Sequence, residues 1–336
     1  MKNNQLMIYG AYGYAGELMV REAVAQRLRP IIAGRDAEKL KPIATELSLE
    51  CRAFGVRNTG SNLQDISVLL NCAGPFSATA EPLARACLAQ QIHYLDITGE
   101  IDIFRKCHAL DEEARQQNVL ILPGAGTDIV PTDCLAAMLK EKLPVATRID
   151  LALSFGTNPS IGTVNTMIES FGKGGLIREG GMLKVVSNAF QMRKIPFQNK
   201  PQWAMTIPWG DVFTSGISTG VPDGAVYMAM PRMSIYMIRL TNPVKGILNT
   251  QFGQKITKRL AGWLMKKGPD AKALEAGRGQ FWGEAEAPDG EKLEMTMSTP
   301  NVYALTATVG IRIAQYCLDY TGPGGYYTPS MLLGSR

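Results

Sequence analysis

Residues 6–36 have the sequence LMIYGAYGYAGELMVREAVAQRLRPIIAGRD. The apolar run Leu6–Tyr9 predicts a buried strand, and Glu17–Arg27 has the apolar spacing of a helix. Pro30–Ala33 predicts a second strand, and the glycine-rich sequence GAYGYAG lies between the first strand and the helix, at 10–16. A strand, a glycine-rich loop, a helix and a second strand are typical of the first βαβ unit of a Rossmann-type parallel sheet.

The glycines of this loop have separate roles in a dinucleotide-binding site. Gly10 permits the tight turn after the strand, Gly13 lets backbone N–H groups approach a pyrophosphate, and Gly16 lets the helix pack closely on the sheet. The loop and the helix start are therefore expected to bind a dinucleotide through Gly10, Tyr12, Gly13, Tyr14, Ala15 and Gly16. A tight turn with no ligand is the alternative.

The end of the second strand indicates which dinucleotide binds. An NAD-binding domain usually has an acid there that bonds the ribose 2′-hydroxyl, whereas this chain has Arg35 followed by Asp36. A guanidinium can pair with a 2′-phosphate, and Asp36 is also placed to cap the next helix. Arg35 and Asp36 are expected at the cofactor, which is expected to be NADP in preference to NAD. The alternative is that Arg35 is a solvated surface residue.

Three further predicted strands end in polar or glycine-containing sequences. Val68–Cys72 continues into NCAGPF, His93–Ile97 is followed by TGE, and Val119–Leu122 is followed by PGAGTD. Ligands bind at the carboxyl ends of parallel strands. The cofactor site is therefore expected to include Asn71, Cys72, Ala73, Gly74, Pro75, Phe76, Thr98 and Gly99. An ordinary strand-to-helix turn explains residues 71–76 equally well from position alone.

The ends of the last two of these strands place Asp96, Thr98, Glu100, Thr127 and Asp128 at one edge of the sheet. Of these residues, Glu100 and Asp128 are the candidates for proton transfer. Each could instead be a helix cap or a member of an ion pair. No tyrosine has a lysine four residues later, which argues against a short-chain dehydrogenase, because that class needs a Tyr-x-x-x-Lys pair. The six cysteines form no CxxC pair and the two histidines lack ligand spacing, so no metal site is expected.

The pattern changes after about residue 128. Thr147–Phe155 alternates as a longer strand, and Phe281–Ala287 and Lys292–Ser298 flank a Pro-Asp-Gly turn, which predicts a hairpin. Thr163–Phe171 predicts a helix, and Gly172–Gly181 a glycine-rich loop. Ala304–Leu318 predicts an amphipathic helix that returns to the first domain.

The fold class expected from these patterns is α/β: a Rossmann-type parallel sheet with a second α+β domain that contains a largely antiparallel sheet. Residues 1–129 and about 303–336 are expected to form the dinucleotide-binding domain, and 130–302 the substrate and dimerisation domain.

The composition of the chain argues against some classes of binding partner. Apolar residues make up 46% and charged residues 19%, and the net charge of +5 is not concentrated in a dense basic run, so a nucleic-acid partner is not expected. No apolar stretch is long enough to span a membrane and no secretory signal is evident, which together predict a cytoplasmic protein with reduced thiols. The basic, apolar segment 252–267 is expected to pack on its own domain, with contact to a membrane surface as the alternative. The methionines of the second half predict either a methionine-rich core or an apolar cavity.

With these motifs assembled, the chain resembles the saccharopine dehydrogenase-like oxidoreductases, a family that includes the trans-acting enoyl reductases. Two positions depart from the family pattern: Tyr12 stands where Thr is common, and residues 126–131 replace a Phe-Asp-Ser-Val-Pro-like run. The resembling motifs are GAYGYAG at 10–16, AGRD at 33–36, NCAGPF at 71–76, YLDITGE at 94–100, GAGTDIVPTD at 124–133, SFGT at 154–157, GGLIREGG at 174–181 and GYYTPSMLLG at 325–334.

The resemblance implies an NADP-type Rossmann domain and a second domain that contributes the substrate site. The expected function is an NADP(H)-dependent oxidoreductase that transfers hydride to or from a small, apolar carbonyl, imine or enoyl substrate. A homodimer through the sheet of the second domain is expected by analogy. The alternative is a non-catalytic NADP-binding sensor or partner protein.

Overall fold

The computed structural model describes residues 4–155, 174–240, 242–244 and 277–335. The chain divides into two compact units. The first consists of Met1–Val130 with Tyr303–Leu332, and the second of Pro131–Val302 with Leu333–Arg336. None of the described helices is long and apolar enough to cross a membrane.

The described strands and helices are numbered in chain order. The strands are β1 Leu6–Tyr9, β2 Ile31–Gly34, β3 Cys51–Ala53, β4 Val68–Asn71, β5 His93–Asp96, β6 Leu120–Leu122, β7 Arg148–Phe155, β8 Gly175–Glu179, β9 Met182–Val186, β10 Met192–Pro196, β11 Pro201–Ile207, β12 Val226–Ala229, β13 Gly279–Glu286, β14 Lys292–Thr299 and β15 Gly325–Tyr326. The helices are α1 Tyr14–Ala25, α2 Ala37–Leu47, α3 Phe76–Ala89, α4 Ile101–His108, α5 Asp111–Gln116, α6 Val130–Lys142, α7 Asp211–Thr219, α8 Arg232–Leu240, α9 Val302–Leu318 and α10 Pro329–Leu333.

The first unit contains a seven-stranded sheet in the order β15-β6-β5-β4-β1-β2-β3, and every neighbouring pair is parallel. The strand order reverses between β1 and β4, whose last residues Tyr9 and Asn71 are register partners. In open parallel sheets such a reversal opens a crevice at the carboxyl ends of the two strands. The loop after β1 and the loop after β4 are therefore the two that border this crevice.

The parallel sheet confirms the Rossmann-type prediction, and local signals explain its elements. All four residues of β1, β2 and β4 are buried, as expected for strands covered on both faces. Asp36 caps α2 as predicted, because its carboxylate accepts the backbone N–H groups of Glu38 (3.1 Å) and Lys39 (3.3 Å).

Helix α9 supplies part of the core of the first unit, which confirms the prediction that the C-terminal helix packs on it. Ala307, Ile311 and Ala314 belong to the same apolar cluster as Met19 of α1 and Leu122 of β6. Strand β15 extends the sheet beside β6. The first unit is therefore built from two stretches of chain that are far apart in sequence.

The second unit contains a six-stranded sheet in the order β10-β11-β12-β7-β13-β14. It is largely antiparallel, as predicted, and β12–β7 is its parallel pair. The predicted hairpin is β13–β14, whose turn is closed by a hydrogen bond from Ala287 N to the Glu291 carbonyl (2.9 Å). Gly290 lies in this turn with φ of +90°, a conformation that favours glycine.

Four predictions for the second half concern one loop, one helix, one basic segment and its methionines. The glycine-rich loop predicted over Gly172–Gly181 is wrong for its described part, because β8 and β9 form a hairpin there. Gly180 and Gly181 have positive φ in its turn, and Gly174, with φ of +95°, precedes β8. The helix predicted over 163–171 and the basic segment 252–267 lie outside the described residues. Among the described methionines of the second half, Met205 and Met228 are buried, those on β9 and α8 are exposed, and others, such as Met192 and Met230, are half-buried.

Candidate cofactor and catalytic site

The glycine loop after β1 lies directly against the loop after β4. Gly10 has φ of +86°, and a Cβ built there would lie 2.7 Å from the backbone nitrogen of Ala73. Glycine is therefore required at this position both for conformation and for space. The structure thus brings two predicted cofactor-binding segments together at the reversal of strand order.

The loop turns tightly into α1. Gly13 donates its N–H to the Gly10 carbonyl (3.0 Å) and precedes the helix, and a Cβ at Gly16 would overlap that same carbonyl. Tyr14 and Ala15 form the beginning of the first turn of α1, where backbone N–H groups lack helical acceptors. Such a helix end is suited to bind an anion.

Two cations lie beside the end of β2. Arg35 is exposed, and within the described part of the chain its guanidinium has neither an ion pair nor a hydrogen bond. The Lys39 ammonium lies 5.6 Å from the centre of the Tyr12 ring and 3.4 Å from the carboxylate of Asp36, the capping residue. The Tyr12 ring covers Gly34, where a Cβ would lie 2.5 Å from its Cε1. The Tyr12 ring therefore packs over the end of β2, beside Lys39.

The segment after β4 is held by side chains on both sides. The side-chain oxygen Oδ1 of Asn71 accepts the Ala73 N–H (3.0 Å), and the Thr79 hydroxyl donates to the backbone carbonyl of Ala73 (2.6 Å). The Cys72 sulfur lies 3.2 Å from that of Met19 in the core, and burial raises the thiol's pKa. Cys72 can therefore border a ligand through its backbone alone.

The next residues of the segment after β4 reach the protein surface. Gly74 and Pro75 are exposed and joined by a cis peptide bond, and Phe76 is the half-buried first residue of α3.

A buried hydrogen-bond network joins β4, β5 and β6. The Asp96 carboxyl, at the end of β5, accepts the N–H groups of Thr98 (3.0 Å) and Gly124 (3.1 Å) and the Tyr94 hydroxyl (2.9 Å). That hydroxyl accepts a hydrogen bond from the Asn71 amide (3.2 Å). Burial raises the pKa of Asp96 to about 6, although the three hydrogen bonds oppose the shift.

The two acids predicted to transfer protons lie in neighbouring segments. Glu100 is half-buried, and its N–H donates to the Thr98 hydroxyl (3.1 Å) just before α4. Asp128 is half-buried in the segment after β6, and a Cβ at Gly99 would lie 3.3 Å from its Oδ2. Burial raises the pKa of Asp128 to about 7. The structure thus brings Thr98, Gly99 and Asp128 together.

Sequence reasoning placed Asp96 at this edge of the sheet without a role, and it did not select Tyr94 or Thr306. Tyr94, Asp96 and Thr98 alternate along a strand and its extension, so the period of two was a signal that they share a face. Thr306 of α9 accepts the Thr127 N–H (3.1 Å) and donates to its hydroxyl (3.0 Å), one residue before Asp128. No local pattern could have indicated that contact, because the two threonines are 179 residues apart.

The residues around the crevice fit a dinucleotide. The glycine loop leaves backbone where side chains would collide, the start of α1 offers N–H groups, and an exposed guanidinium follows β2. Among the described residues no three His, Cys, Asp or Glu side chains lie close enough to hold a metal ion. Together with the parallel sheet, these features define a Rossmann-type dinucleotide-binding protein.

Residues 6–122 match the family model of the saccharopine dehydrogenase NADP binding domain. Over 231 residues the chain is 26% identical to a saccharopine dehydrogenase-like oxidoreductase of Rattus norvegicus, a match that covers 60% of this chain and 53% of the relative. The family resemblance is confirmed, and so is NADP as the cofactor of this domain family. The chain spans about half the length of the curated relatives it matches.

Two further matches extend the comparison. A Mycobacterium tuberculosis protein with the provisional name trans-acting enoyl reductase is 28% identical over 206 residues, 55% of this chain and 44% of that protein. The structure of apo saccharopine dehydrogenase (L-Glu forming) from Saccharomyces cerevisiae superposes with a TM-score of 0.65 over 97% of this chain and 94% of the yeast chain. At 10% identity the yeast structure shows that the fold is shared.

Proposed function

We propose that this chain is an NADPH-dependent oxidoreductase that transfers hydride to or from a small, apolar carbonyl, imine or enoyl substrate. The observation that carries the proposal is the glycine loop at the reversal of strand order, with the exposed Arg35 beside it. Bound NADP(H) would supply or accept the hydride. The match of residues 6–122 to an NADP-binding domain supports the choice of cofactor.

Each segment around the crevice is assigned one part of the dinucleotide. The glycine loop, residues 10–16, would hold the pyrophosphate through backbone N–H groups. Arg35, with Lys39 one turn further on, would pair with the 2′-phosphate, while Asp36 caps α2 beside them. Residues 71–76 and the pair Thr98 and Gly99 would border the nicotinamide end, because they follow β4 and β5.

Asp128 is proposed as the group that exchanges a proton with the substrate. Because burial raises its pKa to about 7, the carboxyl is present in both protonation states near neutral pH, as a general acid or base requires. Glu100, also half-buried, is the second candidate. A carboxyl tuned to neutral pH favours catalysis over the alternative, an NADP-binding sensor without turnover.

Arg35→Ala tests the cofactor assignment. We expect the NADPH Kd, measured by fluorescence titration, to rise at least about tenfold while the NADH Kd changes little, because only NADPH has the 2′-phosphate. Arg85→Ala, which removes an exposed arginine paired with Glu81, is the matched control and should leave both constants unchanged. An unchanged ratio of NADPH to NADH affinity in Arg35→Ala would contradict the assignment.

Turnover is tested by following NADPH absorbance with a panel of carbonyl, imine and enoyl compounds. Asp128→Asn is expected to lower kcat about a hundredfold and to remove an inflection near pH 7 in the rate profile. Glu100→Gln is compared in parallel. Full activity in both variants would exclude these acids from proton transfer, and NADPH binding without any turnover would favour the sensor.

Two further properties are proposed with the function. A cytoplasmic location is supported by the cysteines, all six of which are free thiols. A homodimer formed through the sheet of the second unit rests on analogy, and multi-angle light scattering of the intact chain tests it directly.

A further inference from the structure

The Asp96 carboxyl lies where three chain segments meet at the carboxyl edge of the parallel sheet. These segments follow β4, β5 and β6, and we call them the rim segments: residues 71–76, 97–100 and 123–128. Asp96 is the last residue of β5 and is fully buried. Its carboxyl is bonded to each rim segment, directly or through one tyrosine.

The two carboxyl oxygens have different partners. Oδ1 accepts the backbone N–H groups of Thr98 (3.0 Å) and Gly124 (3.1 Å), which belong to two different rim segments. Oδ2 accepts the Tyr94 hydroxyl (2.9 Å), which in turn accepts the side-chain amide of Asn71 in the remaining segment (3.2 Å). One buried carboxyl therefore links all three rim segments. The segment 123–128 is in addition held by a backbone bond from the Ala125 N–H to the Asp96 carbonyl (2.6 Å), which substitution of the side chain leaves in place.

This arrangement extends to the proposed acid. Gly99 follows Thr98 directly, and a Cβ at Gly99 would lie 3.3 Å from Oδ2 of Asp128. Asp128 itself lies four residues after Gly124. A shift of either N–H donor away from Asp96 would therefore move the surroundings of Asp128. Loss of the shared acceptor would also leave buried donors unpaired, which the segments can avoid only by moving toward water.

We propose that Asp96 is a positioning residue that holds the three rim segments in the arrangement that binds the dinucleotide and presents Asp128 to the substrate. The inference rests on the proposed function, because it assigns Asp96 a part in that site. Asp96 acts through Thr98, Gly124 and Tyr94 rather than on a ligand. The ionised carboxyl is the stronger acceptor for all three donors.

The ionisation of Asp96 provides a readout that a purely structural group would lack. Its pKa is raised to about 6 by burial. The titratable groups that interact with it are Tyr94 on β5, Cys72 after β4 and Cys107 on α4, and burial raises the pKa of each, so they stay neutral around pH 6. We expect the affinity of the wild-type protein for NADPH to fall below pH 6, and that of Asp96→Asn to lose this part of the pH dependence.

The test combines NADPH titration with amide hydrogen exchange of the ligand-free protein. Asp96→Asn keeps the shape of the side chain but removes its negative charge. Tyr94→Phe removes only the hydroxyl that connects Asp96 to residues 71–76. Asp111→Asn is the matched control, because the Asp111 carboxyl also accepts a backbone N–H, from Tyr326 (2.7 Å), but lies in no rim segment. The 2′-phosphate of NADPH titrates in the same range, so each variant is compared with the wild type at the same pH.

For Asp96→Asn we expect the NADPH Kd to rise about tenfold at about pH 7.5, where the wild-type Asp96 carboxyl, with its pKa of about 6, is ionised. Exchange should quicken at Thr98 and Gly124 and stay unchanged in β1. Tyr94→Phe should give a smaller rise, with faster exchange confined to residues 71–76, and Asp111→Asn should bind NADPH as the wild type does.

Two results would overturn the inference. One is wild-type NADPH affinity and wild-type exchange in Asp96→Asn. The other is faster exchange throughout the sheet, β1 included, with no change in Kd, which is the behaviour of a residue that only stabilises the fold. If the wild-type protein does not bind NADPH, the proposed function fails, and exchange in the ligand-free variants still decides whether Asp96 holds the rim segments.

Discussion

Buried carboxyls occur in both units, but their partners differ. In the first unit Asp96 has three uncharged donors, and burial raises its pKa to about 6 and that of Asp128 to about 7. In the second unit Glu284 forms a two-bond pair with Arg193 (3.1 Å each), and although burial acts to raise its pKa, the cation lowers it.

Asp150, the neighbour of Glu284 on the sheet, has cationic partners as Glu284 does, but its pKa is raised as that of Asp96 is. Asp150 lies opposite Glu284 in the β7–β13 register and pairs with Arg148 (2.9 Å) and Arg193 (3.5 Å), yet burial still outweighs these cations and raises its pKa. The first unit thus contains buried carboxyls that can exchange a proton near neutral pH, whereas the buried carboxyls of the second unit form ion pairs that stabilise its sheet. The predictions below test that separation.

The largest effect is expected from Arg193→Ala. The guanidinium also stacks 4.7 Å from the centre of the Trp282 ring, so its loss leaves two buried carboxylates with less charge compensation and removes packing. We expect the free energy of unfolding in urea to fall by about 3 kcal/mol, the lower end for breaking a buried pair because Arg193 is partly exposed.

A double variant sharpens this prediction. Adding Glu284→Gln to Arg193→Ala removes one of the uncompensated charges. The double variant should therefore lose less stability than the sum of the losses in the two single variants. If the two losses simply add, the cluster is not a coupled unit.

The next effect is the pH dependence contributed by Asp128. The folded state holds this proton up to about pH 7 whereas the ordinary value is 3.8, so the folded state binds more protons between these values and stability falls as the pH rises through them. Asp128→Asn removes that fall. The full shift would correspond to roughly 4 kcal/mol, and solvent screens part of it because Asp128 is only half-buried. We therefore expect the variant to gain about 2 kcal/mol relative to the wild type between about pH 4 and pH 8. A difference that does not change with pH would contradict the raised pKa.

A smaller effect is expected at Asp36, an acid of the first unit that bonds backbone N–H groups while partly exposed. Asp36→Ala removes the cap of α2 and should cost about 1 kcal/mol in thermal or urea unfolding. Asp36→Asn keeps an acceptor and should cost only a few tenths of that amount. Equal losses in the two variants would mean that charge, rather than capping, is the contribution of Asp36.

The smallest effect is expected at Lys184, which pairs with Glu179 across the β8–β9 hairpin. Both side chains are more than half exposed, at 57% and 58%. Lys184→Ala should change the free energy of unfolding by less than about 0.5 kcal/mol, and added salt should reduce even that. A loss comparable to that of Arg193→Ala would show that exposure does not separate the two kinds of ion pair.

Local signals in the sequence predicted much of the first unit. The glycine loop, the strands around it and the Asp36 cap each depend on residues within a few positions of one another, and the structure has all of them. In the second unit the β13–β14 hairpin has the same local character. The roles assigned to individual cofactor-binding residues remain predictions, since they concern a ligand.

Contacts between distant residues could not be predicted in the same way. The bond from Gly124 to Asp96 spans 28 residues, and that from Thr127 to Thr306 spans 179. The β8–β9 hairpin was missed because its glycines suggested a loop, and because β9 is mostly exposed and depends on pairing with the more buried β8. Hydrophobic periodicity reports which residues are buried but not which partner buries them.

The return of α9 and β15 to the first unit has a consequence for synthesis. Ribosomes extend chains at about 5–20 residues per second, so residues 303–332 follow the first 130 by roughly ten to thirty seconds. Until then the apolar surface that Ala307, Ile311 and Ala314 cover would have no partner. A nascent chain stalled before residue 303 should therefore bind chaperones, and the nucleotide-binding unit should mature last although most of it is made first.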